Sequence, residues 1–202
     1  MSKNIYISAD YDVNSGDRNV VEELYKWDES QRHSLEFTDM AKVAKGSVAN
    51  DSDCRICDLK NEFNNQINKA SVVIFVVGDK TASRISGSAC NRVCRQQSEC
   101  LCTPYKQNTN GQKLCKVQNT VVVGPNDDVG PINVFSYLKH EFKQAEKKNK
   151  TIIVVYNSVN KQPNWLPDYL KPYENRAFPF WTYNAVGNRV GNYQSVKDAL
   201  GI

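Results

Sequence analysis

Apolar positions along this chain fall into short runs and alternating stretches that predict β-strands. Residues 4–8 (NIYIS) alternate and then give way to polar residues, which predicts a first strand followed by a loop. Residues 35–38 (LEFT) alternate as a second, peripheral strand. Val72–Val77 (VVIFVV) and Thr151–Tyr156 (TIIVVY) are continuous runs of mostly β-branched residues, typical of strands that are buried on both faces. A short fifth strand is predicted at residues 177–181.

Between these strands, apolar residues recur every three or four positions, as on one face of an α-helix. The first such segment begins at Asp17, a suitable N-cap, and the last covers about residues 194–200 and ends at Gly201, a suitable C-cap. Two further segments lie between these and lead directly into the two buried strands. In chain order, the apolar positions of the first three of the four segments are Val20, Val21, Leu24 and Trp27; then Ile56, Leu59, Phe63, Ile67 and Ala70; and then Val134, Phe135, Leu138, Phe142 and Ala145.

Strands and helices therefore alternate along the chain, which is typical of an α/β fold. We predict a doubly wound, mostly parallel five-stranded sheet in the flavodoxin-like order, in which ligands bind beyond the carboxyl ends of the strands. The loops after the first and third strands meet at that edge. This arrangement predicts that Ser8, Asp10, Tyr11 and Asp12 lie beside Gly78, Asp79 and Lys80.

The chain length of 202 residues fits one domain, residues 1–202, that contains a Cys-rich insertion at residues 85–130. No helical or strand period persists through this stretch. It holds five of the seven cysteines, and the sequence leaves two interpretations open: a zinc site in the insertion, or free thiols. The cysteines are Cys90, Cys94, Cys100, Cys102 and Cys115.

Charge and hydropathy narrow the classes of partner. The net charge is +4, and from Arg84 to Lys116 there are six basic residues against one acid. The rest of the chain is close to neutral, so the fold has no broad basic face and nucleic acid is not an expected partner. The basic stretch is either an anion-contacting insert or a solvated loop. The longest apolar run is far too short to span a bilayer, and no leader sequence precedes the first strand, so we expect a cytoplasmic protein without a membrane partner.

Several motifs that would identify an enzyme class do not occur. The chain has no Gly-rich phosphate loop of the P-loop or Rossmann type, so there is no basis for a kinase or dehydrogenase assignment. His140 and Glu141 begin like the zinc motif H-E-x-x-H, but residue 144 is Gln, so the second zinc ligand is missing.

Glu141 holds an unusual position on the predicted third helix. On a helical wheel with Leu138 at zero, it lies at about −60°, on the shoulder of the apolar stripe, whereas Lys139, Lys143 and Lys147 lie at about 100° to 180°. A carboxylate at such a position either reaches out to water or belongs to a cleft. The wheel alone does not decide between these two.

Three segments together resemble the TIR-like proteins of bacterial defence systems, in particular the Thoeris TIR sensor family. They are NIYISADYD, ASVVIFVVGDKTASR and YLKHEFKQAEKKNKTIIVVYN. The family carries a glutamate four residues after an aromatic residue on the corresponding helix, and Tyr137 and Glu141 fit this pattern, although tryptophan is commoner at the aromatic position. The resemblance implies that Glu141 catalyses cleavage of NAD⁺ at the nicotinamide–ribose bond. It further implies an ADP-ribose-derived, in some relatives cyclic, signalling nucleotide.

The resemblance also implies other contacts and partners. Ser8 and Asp10 would contact the ribose or phosphates of NAD⁺, with a cap and a turn as their structural alternative, and Tyr11 and Tyr137 would complete the substrate site. Relatives often carry an aromatic residue where this chain has Ala9, so stacking would fall to Tyr11 or Trp165. NAD⁺ is expected as a substrate with no tightly bound cofactor. The expected partners are a separate effector, a phage-derived trigger and further copies of the chain. The alternative is a non-catalytic TIR-like interaction module.

Overall fold

The computed structural model describes residues 3–10, 16–29, 35–39, 55–84, 106–107, 113–114 and 136–202. The described strands are β1 (Lys3–Ser8), β2 (Leu35–Asp39), β3 (Val72–Val77), β4 (Lys106–Gln107), β5 (Lys113–Leu114), β6 (Thr151–Tyr156), β7 (Phe178–Pro179), β8 (Trp181–Tyr183) and β9 (Arg189–Gly191). The described α-helices are α1 (Asp17–Glu29), α2 (Arg55–Lys69), α3 (Tyr137–Lys147) and α4 (Tyr193–Leu200). A longer 3₁₀ helix runs over Asp168–Arg176.

Five of these strands form one parallel sheet in the order β2-β1-β3-β6-β7. The predicted five-stranded parallel sheet with flavodoxin-like order is confirmed. β2 lies at one edge, as its alternating pattern predicted, and β3 and β1 lie inside. The fifth strand is shorter than predicted, because the chain leaves the sheet after Pro179 and Trp181 starts the separate β8–β9 hairpin.

Burial explains why the sheet takes this form. All six residues of β3 are buried, as expected for a strand whose continuous apolar run faces the core on both sides. One face packs against α1 and α4 in a single apolar core, while the side chains of the opposite face, such as Tyr6, Phe75 and Tyr156, are buried as well. The members of the core include Ile5, Ile7, Val20, Leu24, Ile74, Val76, Val155, Val196 and Leu200.

Helix ends follow the local capping chemistry. The Ser136 side chain accepts a hydrogen bond from Lys139 N and caps α3, and Asn192 caps α4 in the same way through Ser195 N. Gly201 ends α4 with φ +68°, the left-handed conformation that glycine adopts without strain, as the sequence predicts. α3 begins at Tyr137, and the predicted helical positions Val134 and Phe135 lie outside the described residues.

The chain divides into two compact units. The first contains residues 1–41, 69–84 and 149–202, and therefore the whole five-stranded sheet; the second contains residues 42–68 and 85–148. In the second unit, β4 and β5 pair antiparallel within the stretch predicted as an insertion. The prediction of a single domain stays a prediction, and so does the Cys-rich insertion, whose five cysteines lie outside the described residues. Within the described chain, no helix combines the length and apolar character needed to cross a bilayer.

Candidate functional site

Polar side chains gather at the carboxyl edge of the sheet, where β1 and β3 end. Ser8 is the last residue of β1 and is fully buried. Asp10 lies two residues further on and forms an ion pair with Arg84, whose Nε lies 2.5 Å from Asp10 Oδ2. The loop after β3 is held by Thr81, whose Oγ1 accepts a 2.8 Å hydrogen bond from Gly78 N. The loops after β1 and β3 thus meet through Asp10 and Arg84, as the fold prediction required.

Asp17, at the start of α1, is the buried centre of this edge. Its side chain is fully inaccessible to solvent, and its Oδ1 accepts a 3.0 Å hydrogen bond from Asn157 Nδ2. Asn157 follows β6 directly, and its Oδ1 accepts a 2.9 Å hydrogen bond from Trp181 Nε1. We call Asp17, Asn157 and Trp181 the buried triad. It connects α1, the end of β6 and the start of β8.

The surroundings of Asp17 raise its pKa to about 7. Burial is the largest cause, because it disfavours the charged carboxylate, and the nearby carboxylates of Asp10 and Asp79 raise the pKa further. The hydrogen bonds from Asn157 and from the backbone of Asp10 act in the opposite direction. Near neutral pH, Asp17 is therefore divided between its protonated and ionised forms.

Two glycines allow the chain to approach the triad closely. A Cβ on Gly78 would lie 2.5 Å from Asp17 Oδ1, so any side chain there would displace the carboxylate. Gly16 has φ +71°, and a Cβ at this position would lie 2.8 Å from Asn157 Nδ2. Both glycines thus have a steric reason to be glycine.

Glu141 belongs to the second unit, on α3. Its side chain is fully buried, whereas Lys143 and Lys147 on the same helix are exposed. This agrees with the helical wheel, which placed Glu141 on the shoulder of the apolar stripe and the lysines on the solvated face. Burial excludes the alternative in which the carboxylate reaches bulk water. Its catalytic role stays a prediction.

The polar residues around Glu141 on α3 are tied to α2 by two parallel hydrogen bonds. His140 Nε2 lies 2.9 Å from Asn64 Oδ1, and one turn later Gln144 Nε2 donates to Asn68 Oδ1 at 2.8 Å. Because the amide oxygen of Asn64 is an acceptor, this geometry places the imidazole hydrogen on Nε2. His140 and Gln144 thus connect α3 to α2 through hydrogen bonds.

The remaining predicted residues are placed as follows. Tyr137 packs edge to face against Phe63, with ring centroids 5.6 Å apart, a contact within the second unit. Trp165 ends a short 3₁₀ turn and is half-buried. Ser8 and Asp10 lie in the first unit, and Tyr11 lies outside the described residues. Among the residues that the structure describes, no group of three or more His, Cys, Asp or Glu side chains is placed to hold a metal ion.

Sequence reasoning missed Asn157 and Trp181, and assigned Asp17 only as a cap. A usable signal was present for Asn157, the first residue after a buried parallel strand, since ligand-facing residues of such sheets follow the strand ends. The partnership with Asp17 carries no local signal, because 140 positions separate the two residues.

Comparison with known families agrees with this architecture. Residues 6–86 match the family model of the Thoeris protein ThsB, TIR-like domain. The predicted resemblance is confirmed over these residues. The ThsB match covers Ser8, Asp10, Asp17 and Arg84, and ends before Tyr137, Glu141 and Asn157. No curated protein matches the chain.

Proposed function

We propose that this chain is a TIR-like enzyme of antiviral defence that cleaves NAD⁺ at the bond between nicotinamide and ribose, with Glu141 as the catalytic carboxylate. The match of residues 6–86 to the Thoeris ThsB TIR-like domain carries the proposal. Glu141 is held out of bulk water, and a water-excluded carboxylate interacts strongly with a developing positive charge once the substrate reaches it.

The proposed reaction needs little beyond one placed carboxylate. Breaking the N-glycosidic bond builds oxocarbenium character on the ribose, and a carboxylate that faces this charge and binds the ribose hydroxyls stabilises the transition state. Nicotinamide leaves as a neutral molecule, so no general acid is required. Water then completes hydrolysis, or a held nucleophile of the nucleotide closes a ring, in which case cleft shape determines the product.

The other parts of the proposal concern binding and signalling. Ser8, Asp10, Tyr11 and Tyr137 would contact the substrate, and the ADP-ribose-derived product would act on a separate effector after a phage-derived trigger. For Asp10, the ion pair with Arg84 supports a binding role, because together they present both a cation and an acceptor at the edge where β1 and β3 end.

The test compares two glutamates on the same helix. Glu141→Gln removes the buried charge with almost no change of shape, and Glu146→Gln makes the same chemical change at an exposed position. Bacteria producing the wild type or either variant are infected with phage, and NAD⁺ and free nicotinamide are measured over time. We expect NAD⁺ loss with the wild type and Glu146→Gln, and a loss rate lower by at least about a hundredfold with Glu141→Gln.

Equal NAD⁺ loss in the Glu141→Gln and wild-type cultures would exclude Glu141 as the catalytic group. If defence against phage persists in the Glu141→Gln culture without any loss of NAD⁺, the chain acts instead as a non-catalytic TIR-like interaction module.

A further inference from the structure

A cavity of about 470 Å³ opens beside the first half of β6, within the first unit. β6, the start of β7, the Asp168–Arg176 helix and α4 line it. It starts at Thr151, whereas the buried triad lies beyond the other end of the strand. At about 3.3 Å per residue, Ile152 and Asn157 are separated by roughly 16 Å. The cavity is therefore a separate place from the carboxyl edge of the sheet.

The floor of the cavity is an open strand edge. β6 pairs with β3 along all six residues, but its ladder with β7 covers only Val155 and Tyr156. Thr151 N donates to Ser71 O on the β3 side, and Tyr156 O accepts from Phe180 N on the β7 side. Because successive residues of a strand direct their backbone groups to opposite sides, the backbone groups of Ile152 and Val154 face the cavity.

These groups form a definite recognition pattern. The C=O of Ile152 and the N–H of Val154 lie side by side on the edge of β6. A longer β7 would pair with them, but no strand in the described part of the chain lies beside this part of β6. A partner needs a donor next to an acceptor to bind both. The edge of a nucleobase such as adenine, with an amino group beside a ring nitrogen, offers this pair.

The walls add an aromatic face and charges of both signs. Tyr173 and Arg176 line one side, with the Arg176 Cζ atom 5.1 Å from the Tyr173 ring centroid. Ser195 and Asp198 of α4 line the other side. A planar ring can stack on the tyrosine, a guanidinium binds phosphate, and a carboxylate accepts from sugar hydroxyls.

We propose that this cavity binds a purine mononucleotide, with the base edge on the backbone of Ile152 and Val154, the base against Tyr173 and the phosphate on Arg176. The volume lies within the range of small-molecule sites, roughly 300 to 1,000 Å³. The site is independent of the proposed NAD⁺ cleavage, and it gives the chain a means of responding to the nucleotide content of the cell.

The probe is adenosine 5′-monophosphate, titrated into the full-length, isotope-labelled chain. Calorimetry gives the dissociation constant, and nuclear magnetic resonance follows the Val154 amide. We expect saturable binding, a shift of the Val154 amide signal and slower hydrogen exchange at that amide. Purine riboside 5′-monophosphate, which lacks the amino donor, should bind about tenfold more weakly because the Ile152 carbonyl loses its partner.

Three variants separate the cavity from the general surface. Arg176→Ala should weaken binding about tenfold, and Ala199→Leu should weaken it by at least as much, because the larger side chain enters the cavity from α4. Lys171→Ala makes the same change of charge in the same 3₁₀ helix, at a residue that does not line the cavity, and should bind as the wild type does.

The proposal is overturned if the wild type shows no saturable binding, if Arg176→Ala and Lys171→Ala bind equally, or if the Val154 amide does not respond. Circular dichroism of each variant checks that the fold is retained. Nicotinamide release is measured in parallel with the Glu141→Gln variant, so failure of the catalytic proposal and failure of this one give different results.

Discussion

Replacing Asp17 by asparagine changes how the stability of the protein depends on pH. Asp17 is fully buried and its pKa is raised from 3.8 to about 7. A folded state that raises the pKa of an acid binds the proton more tightly than the unfolded state does. Asp17 therefore contributes stability that is complete below pH about 4 and is lost as the pH rises through about 7.

The magnitude follows from the two pKa values. The whole shift corresponds to about 4 kcal/mol, at 1.36 kcal/mol per pKa unit. Between pH 5 and pH 8, linkage gives a loss of roughly 2.6 kcal/mol in the free energy of unfolding. Asparagine is neutral at every pH, and its amide oxygen can still accept the hydrogen bond from Asn157 Nδ2. The Asp17→Asn variant should lose this part of the pH dependence.

Urea unfolding at pH 5, 6, 7 and 8 measures the effect for the wild type and for Asp17→Asn. The control is Asp168→Asn, which makes the same substitution at a side chain that is 93% exposed. Between pH 5 and 8, the wild type and the control should lose about 2 to 3 kcal/mol more than Asp17→Asn. Parallel pH profiles for the wild type and Asp17→Asn would refute the reasoning that Asp17 is buried with a raised pKa.

Two further predictions concern the hydrogen bonds that hold each unit. Trp181→Phe keeps an aromatic ring but removes the donor to Asn157 Oδ1, and thermal or urea unfolding should show a loss of about 1 to 3 kcal/mol in the free energy of unfolding. The double variant Asn157→Ala with Trp181→Phe should lose less stability than the sum of the two single variants. Strict additivity would contradict the contact between these two residues. In the second unit, a double-mutant cycle on His140→Ala and Asn64→Ala should give a coupling of about 1 kcal/mol, whereas Glu146→Ala with Asn64→Ala should be additive. Zero coupling between His140 and Asn64 would show that their hydrogen bond does not stabilise the protein.

Much of the sheet was predictable because its signals are local. Val72–Val77 consists wholly of apolar residues, and all six are buried inside the sheet. The alternation of residues 35–38 likewise predicted an edge strand, and β2 is one. The length of β7 was not predictable, because residues 177–181 read as one apolar segment, and only tertiary hydrogen bonds divide it between the sheet and the β8–β9 hairpin.

The candidate site was predictable only where position along a strand or helix decides it. The spacing from Leu138 predicted that Glu141 lies at the edge of the apolar stripe, and it is buried. The tie between His140 and Asn64 joins residues 76 positions apart, and no local pattern distinguishes such a histidine from a ligand or a base. The elevated pKa of Asp17 likewise depends on tertiary structure, since burial is its largest cause and the carboxylate of Asp79, remote in sequence, raises it further.

The order of strands in the sheet has a consequence for synthesis of the protein. β2, β1 and β3 are complete once residue 77 has been made, but β6, the second neighbour of β3, begins only at residue 151. At 5 to 20 residues per second, the ribosome needs about 4 to 15 s to make the intervening segment. During that interval a nascent three-stranded sheet would expose the unpaired backbone edge of β3, a strand made only of apolar residues, and chains aggregate on such edges. Chaperone binding should therefore be strongest to nascent chains in which synthesis has passed residue 77 but has not yet reached residue 151.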